Sequence, residues 1–339
     1  MKNLSSIHYV APNSLARERD MIFARTWQHV GAASAVAEKG QYVAADIAGL
    51  KIFVLRGRDG KLRAFKNVCR HRGAQLLEDG QGKCAAVRCP YHQWVFDDKG
   101  ALINAPWFGE EPGFNKEDWP LEEIHVDQWR GLLFAAIDPE LSLIDQLGDL
   151  VDELADEPIE KYTCAAQDKV SFDSNWKIYT DNFVEGYHIP GVHPGFFAAI
   201  EFKEFQTIAR RGLVRMTCPP RDGLFYRGKW LWMWPNWTLS LFDGGMNTSR
   251  INPLSVGRTE QLYNFYFADV SEKTAASRAD TIERNLAVVR EDYEVCVATH
   301  KNYETGIYKT GPLSPKHEQG VAYFQSKVAE SLGLKEAAE

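Results

Sequence analysis

The chain has 339 residues, 45% apolar and 25% charged, with a formal net charge of −7 from 39 basic and 46 acidic side chains. That length carries two domains of ordinary size with well-buried cores, and the acidic balance speaks against nucleic-acid binding, which needs a basic stripe. The longest clean apolar run, residues 132–137, is far too short to span a bilayer. Residues 1–20 are too charged for a secretory leader, and six cysteines in this length do not make a disulfide framework.

In chain order, residues 14–27 read as a helix, with Ser14 as a cap and Leu15, Ile22, Phe23 and Trp27 on one apolar face. Residues 1–40 are expected to form an N-terminal helical segment that packs on the later, larger domain. From about residue 41 to 138 the chain alternates in strand fashion. Residues 51–55 form a strand-like run, Asp59-Gly60 is a hairpin signal, and residues 62–68 return as a second strand that ends at Cys69. His92 opens another short strand at 93–96, which Asp97-Asp98-Lys99-Gly100 turns back. Residues 129–137 read as the closing strand of this domain.

Within it stand Cys69-Arg70-His71 and, after residues 72–88, Cys89-Pro90-Tyr91-His92. Each loop supplies one thiolate and one imidazole. Two such loops suit a [2Fe–2S] cluster of the Rieske type, with two Cys on one iron and two His on the other. Neutral imidazoles make the ligand set less negative, so the potential rises above that of an all-thiolate cluster. The competing readings are a Cys2His2 zinc site, which usually pairs like with like in each loop, and two buried Cys beside two structural His. Cys84 has no paired His and is excluded as a ligand. With Cys164, Cys218 and Cys296 it reads as a free thiol of a reducing cytoplasm.

Asp138-Pro139 breaks the chain, and residues 140–160 are acidic and helix-like, a linker. A second domain, residues 141–339, mixes strands at 206–216, 230–242 and 261–267 with helices at 176–187 and 277–299. Its last residues, 334–339, read as a polar frayed tail. Glu185 and His188 are three apart, which a helix places on one face. Pro190 and Gly191 are expected to end that helix, leaving His193 on a turn that folds back towards His188. Two imidazoles and a carboxylate make a facial triad with open positions on iron. Asp292 is the best candidate for the carboxylate, Glu291 the runner-up and Glu294 a weaker third. The bland alternatives are polar core or surface histidines and a solvated helix face. His125, His300 and His317 lack ligand spacing and read as ordinary histidines.

In the residues Cys-Arg-His-Arg-Gly (69–73), Cys-Pro-Tyr-His (89–92) and the segment from Asn175-Trp176-Lys177 to His193, the chain resembles the α-subunits, or terminal oxygenase components, of the Rieske non-haem iron oxygenases. The resemblance covers nearly the whole length. It implies an α+β protein: an N-terminal all-β Rieske [2Fe–2S] domain at residues 41–140, then a C-terminal helix-grip-like antiparallel sheet with helices carrying mononuclear iron. It implies that His188, His193 and Asp292 bind Fe(II), that Asn182 stands near the iron, and that Glu185 links the cluster of one subunit to the iron of its neighbour in a homotrimer. Many relatives carry Asp at that last position, so one methylene is added here. It also implies O2 as co-substrate. The chain has no Gly-x-Gly-x-x-Gly fingerprint and no second ferredoxin loop, so electrons are expected from a separate NAD(P)H-dependent flavin or ferredoxin reductase.

The substrate is less defined. Trp230, Trp232 and Trp234 fall on one strand face, able to stack on an aromatic ring, to hold a quaternary ammonium by cation–π attraction, to serve as sheet core, or to pack under the long helix. Pro235-Asn236 and Glu185 look similar to the branch acting on choline, betaine and carnitine-like compounds, and aromatic acids stand equally open.

Overall fold

The computed structural model describes residues 2–221 and 225–334. The chain divides into two compact units, residues 23–143 and residues 1–22 with 144–339. It opens with two short helices of the second unit, α1 (Ile7–Val10) and α2 (Ser14–Met21). The helix expected at 14–27 therefore stops at Met21. The helical segment expected to reach residue 40 is interrupted by a strand that belongs to the first unit.

That unit is built on strands: β1 (Gln28–Ala32), β2 (Gln41–Ile47), β3 (Leu50–Arg56), β4 (Leu62–Lys66), β5 (Gly80–Lys83), β6 (Val87–Arg88), β7 (Val95–Phe96), β8 (Leu102–Asn104), β9 (Glu123–Trp129) and β10 (Leu132–Ala136). One sheet runs β1-β10-β9-β4-β3-β2-β5 and a small one β6-β7-β8. The apolar centre of β3 buries Phe53 and Leu55, which pack with Phe65 of β4, Trp94 and Phe96 in the core that also takes in Cys69 and Cys89. The expected turn joins β3 to β4, with Gly60 at φ +80°, a backbone setting glycine reaches without steric cost.

The second unit continues with α3 (Leu143–Leu147), α4 (Leu150–Glu153), β11 (Thr163–Phe172), α5 (Trp176–Phe183), α6 (Ile189–Val192), α7 (Pro194–Ala198), β12 (Gln206–Arg210), β13 (Leu213–Thr217), β14 (Tyr226–Met233), β15 (Trp237–Phe242), β16 (Gly245–Ser255), β17 (Arg258–Phe267), α8 (Ala275–Glu304) and α9 (Gln319–Ser331). Its strands form one antiparallel sheet in the order β11-β17-β16-β15-β14-β13-β12. The runs expected as single strands at 206–216 and 230–242 are each parts of hairpins, turning at Arg211-Gly212 and at Trp234-Pro235. Helix α8 buries Leu286, Val289, Tyr293 and Cys296 along one stripe, and Asp292 lies in that stripe. Among the described residues no helix is long and apolar enough to cross a membrane. Of the frayed tail expected at 334–339, residues 335–339 lie outside the described residues.

Candidate metal centres

In the first unit, the two Cys–His loops share one backbone pattern. The Cys69 N–H donates to Ala74 O at 2.8 Å, and the Gly73 N–H donates to Cys69 O at 3.0 Å. The Cys89 N–H donates to Trp94 O at 2.8 Å, and the Gln93 N–H to Cys89 O at 3.2 Å. In both loops the fourth residue after the Cys is left-handed, Gly73 at φ +74° and Gln93 at φ +60°. Asn67, fully buried, fixes the first loop from behind: its Oδ1 accepts the Leu76 and Leu77 N–H groups at 3.1 and 2.9 Å.

The consequence is a pair of thiols sunk in the core and a pair of imidazoles at its edge. Cys69 and Cys89 are 2% and 1% exposed. Burial, together with the neighbouring Cys89 thiol and against N–H donation from His71 and Arg72, pushes the Cys69 thiol up to about 11. The His71 and His92 rings meet edge to face with centroids 4.6 Å apart, and Trp94 stacks under His71 at 4.7 Å. His71 Nδ1 is buried without a hydrogen-bond partner. Two facing thiols, two facing imidazoles and an orphaned ring nitrogen fit a mixed Cys/His cluster. Cys84 stands apart, half-buried and unpaired in a disulfide.

In the second unit, Asn175 caps α5 by accepting the Lys177 N–H at 3.0 Å. The helix ends at Phe183, so Glu185 and His188 are not on a helical face as expected. A tight turn brings them together instead. The Glu185 carboxylate accepts the backbone N–H groups of Tyr187 and His188 and meets His188 Nδ1 at 2.6 Å. Pro190, expected to end a helix, sits in the first turn of α6, where its missing N–H costs nothing. His193 follows at the end of α6.

His188, His193 and Asp292 each offer a ligand atom within 4.8 Å of the others. Asp292 Oδ1 lies 2.9 Å from His193 Nε2 and 3.5 Å from His188 Nε2. Ligands at right angles, each about 2.1 Å from a metal, stand about 3 Å apart, so the set fits one ion. Asn182 Nδ2 donates to the same Asp292 oxygen at 2.7 Å. Glu291 is turned the other way, to His193 Nδ1 at 2.6 Å. Each imidazole thus has a carboxylate on its second nitrogen, an arrangement that fixes ring orientation and raises ligand basicity. Burial opposes a charge on His193, but Asp292 and Glu291 outweigh it and its pKa lies above the ordinary value. The sequence reading missed Glu291 in this role. It also missed Tyr293, whose hydroxyl donates to Gln261 Oε1 at 2.6 Å and whose ring stacks on Phe172 at 4.3 Å, anchoring the turn that carries Asp292.

A cavity of about 80 Å³ adjoins these groups, walled by Phe196, Phe205, Met216, Tyr226, Trp230 and Val289. The three expected tryptophans divide. Trp230 reaches the cavity, whereas Trp232 and Trp234, buried as core, pack on Phe324 of α9.

Known proteins carry the same two parts. A Rieske [2Fe-2S] domain model matches residues 26–115, and the model of the ring hydroxylating alpha subunit (catalytic domain) matches residues 159–222 and 203–334. The chain belongs to the family of ring hydroxylating alpha subunits. It is a Rieske oxygenase, an oxidoreductase with a [2Fe–2S] cluster and a mononuclear iron that uses O2. It is 28% identical to a chloroplastic choline monooxygenase of Atriplex hortensis over 93% of this chain and 75% of that protein. It is also 28% identical to the carnitine monooxygenase oxygenase subunit of Acinetobacter pittii over 96% and 93%. A solved quaternary ammonium Rieske monooxygenase, described for carnitine oxidation and inter-subunit electron transfer, superposes with a TM-score of 0.88 at 27% identity over 97% of this chain and 95% of that one. Naphthalene 1,2-dioxygenase, 21% identical with a TM-score of 0.80, shares the fold.

Proposed function

We propose that Cys69, His71, Cys89 and His92 hold the Rieske cluster, that His188, His193 and Asp292 hold the mononuclear iron, and that the enzyme oxidises a small quaternary ammonium compound. The observation that carries this reading is the convergence of His188 Nε2, His193 Nε2 and Asp292 Oδ1, with Glu185 and Glu291 on the outer ring nitrogens. When bound, the cluster supplies single electrons and the mononuclear iron supplies O2 activation. Glu185 orients His188 and is the electron bridge to a neighbouring subunit's cluster. Asn182 holds the ligand oxygen of Asp292 in place. The apolar walls exclude water from the reacting centre.

The cavity wall supports the substrate class. Phe196, Tyr226 and Trp230 pack edge to face with centroids 5.4 to 6.2 Å apart. Aromatic side chains lining a cavity suit a quaternary ammonium through cation–π attraction. The quaternary ammonium relatives point the same way. Assembly as a homotrimer is supported by exposed aromatics around the Cys–His loops, Tyr91 at 56% and Trp107 at 101%. Cys84, Cys164, Cys218 and Cys296, outside any disulfide, fit the cytoplasm, and a separate NAD(P)H-dependent reductase delivers the electrons.

The test is an iron count and an O2-uptake assay with a generic reductase, across quaternary amines and aromatic acids. The expected result is three irons per chain, with uptake driven by a quaternary amine and lost in Asp292→Asn more completely than in Glu291→Gln. Two irons per chain, or uptake driven only by aromatic acids, overturns the corresponding part of the reading.

A further inference from the structure

The first 22 residues fold with the catalytic unit, and they do so through polar side chains. Glu18 of α2 is fully buried. It accepts Trp176 Nε1–H at 2.7 Å and pairs with Lys177, itself fully buried. The Lys177 ammonium lies 5.3 Å from the Tyr9 ring centroid and 5.5 Å from that of Trp176. The Tyr9 hydroxyl donates to Asp181 Oδ2 at 2.6 Å. Gln325 of α9 donates to Asp181 Oδ1 at 3.1 Å and to the Tyr9 oxygen at 3.0 Å, while its own Oε1 accepts the Leu4 N–H at 2.7 Å. Residues 9, 18 and 325 thus grip positions 176, 177 and 181 of α5, with Leu4 bracing Gln325.

The residue after Asp181 is Asn182, which donates to the Asp292 oxygen facing both His188 and His193. Successive helical residues project about 100° apart. One face of α5 is therefore clamped from behind, and the adjoining face touches the ligand oxygen. Resting on the assignment of His188, His193 and Asp292 as the metal ligands, we infer that Tyr9, Gln325 and Asp181 are positioning residues of the mononuclear centre, acting through α5 and Asn182. The N-terminal segment is then part of the metal site's scaffold.

A carboxyl is an expensive choice for packing alone. Burial pushes Asp181 up to about 7 against the hydrogen bonds of Tyr9 and Gln325 and the charge of Lys177. Glu318, ahead of α9, and Cys296 and Tyr303 of α8 also feel its charge. A tyrosine, a glutamine and a carboxyl in register at one helix position specify an orientation, which apolar side chains of the same volume do not.

The measurement is the rate at which ferrozine strips mononuclear Fe(II) from the full-length holoenzyme under argon. The Rieske absorbance serves as an internal control and Tm is recorded alongside. Tyr9→Phe keeps the ring's contacts and loses only the hydroxyl. Together with Asp181→Leu it is expected to lose iron about tenfold faster at matched Tm, the scale on which outer partners of metal ligands act. Asp181→Asn keeps an acceptor for Tyr9 and is expected to hold iron like the wild type below pH 7 and better above it. Stripping at the wild-type rate in Tyr9→Phe and Asp181→Leu, or Asp181→Asn behaving like Asp181→Leu, overturns the inference. His193→Ala in the same assay separates this from the ligand assignment. If that variant keeps its mononuclear iron, the assignment fails first.

Discussion

The two metal centres are built on opposite plans. In the first unit all four proposed donors come from two short loops with one shared hydrogen-bond pattern, and most of their geometry is local backbone. In the second unit the carboxylate stands 99 residues from the nearer histidine, and only tertiary packing of α8 on β11 and β17 brings it in. A locally encoded site tolerates change elsewhere in the chain. A site assembled over long range depends on every element that packs behind it.

The strongest way to break that contrast is to remove one donor from each centre. His193→Ala is expected to abolish turnover and empty the mononuclear site while the Rieske visible and EPR spectra persist. Cys89→Ser is expected to remove the cluster spectrum and leave mononuclear iron bound. Loss of both metals in either variant, measured by iron analysis, would mean that the two centres fold as one.

Next in size is the buried ion pair behind α5. Glu18→Gln leaves Lys177 charged and unpaired at full burial, a change worth about 3 to 5 kcal/mol. Denaturant unfolding followed by tryptophan fluorescence reads it. The cluster absorbance of the native variant should match the wild type, since Glu18 belongs to the other unit.

A smaller effect depends on pH. The folded-state pKa of Asp181 is raised to about 7 by burial, so its contribution is intact below the unfolded carboxyl range near 4 and is lost as pH climbs through 7. Asp181→Asn cannot ionise. Its stability advantage over the wild type should open between about pH 4 and 7 and then level off, at no more than about 4 kcal/mol. A Tm difference that stays flat from pH 5 to 8 refutes the raised pKa.

The same local-versus-distant contrast explains what the sequence made legible. Cys69, His71, Cys89 and His92 stood out as candidate ligands because ligand type and loop spacing sit together in a few residues, and the fold brings the two loops together. The Asp59-Gly60 turn was readable for the same reason. The fold class followed from the family resemblance. One helix end was misread because a side chain, not Pro or Gly, ended the helix. Glu185 takes the Tyr187 and His188 N–H groups, so α5 ends at Phe183, and Pro190 opens α6 although it was expected to close a helix. The strand at 28–32 was hidden because its pairing partner is β10, more than a hundred residues away. Glu291 was read as the runner-up ligand to Asp292, and the fold turns it instead towards His193 Nδ1. The Trp230, Trp232 and Trp234 pattern gave a face but not what lay above it, and α9, remote in sequence, covers two of the three.

The smallest predicted effect sharpens the likeness of the two Cys–His loops. If both loops need a left-handed residue four positions after the cysteine, the cost of a side chain there should be one of backbone alone. A Cβ on Gly73 meets nothing within 4 Å, so Gly73→Ala adds no clash and carries only the left-handed penalty, about 1 to 2 kcal/mol. Gln93 already bears that penalty at φ +60°. Gln93→Gly should therefore recover part of it, reduced by the greater freedom glycine gives the unfolded chain. Thermal loss of the Rieske absorbance is the measurement, because both loops close on the cluster. Opposite shifts, down for Gly73→Ala and level or up for Gln93→Gly, mark the two positions as equivalent. A fall in both would mean that the Gln93 side chain, not its backbone, is what the second loop requires.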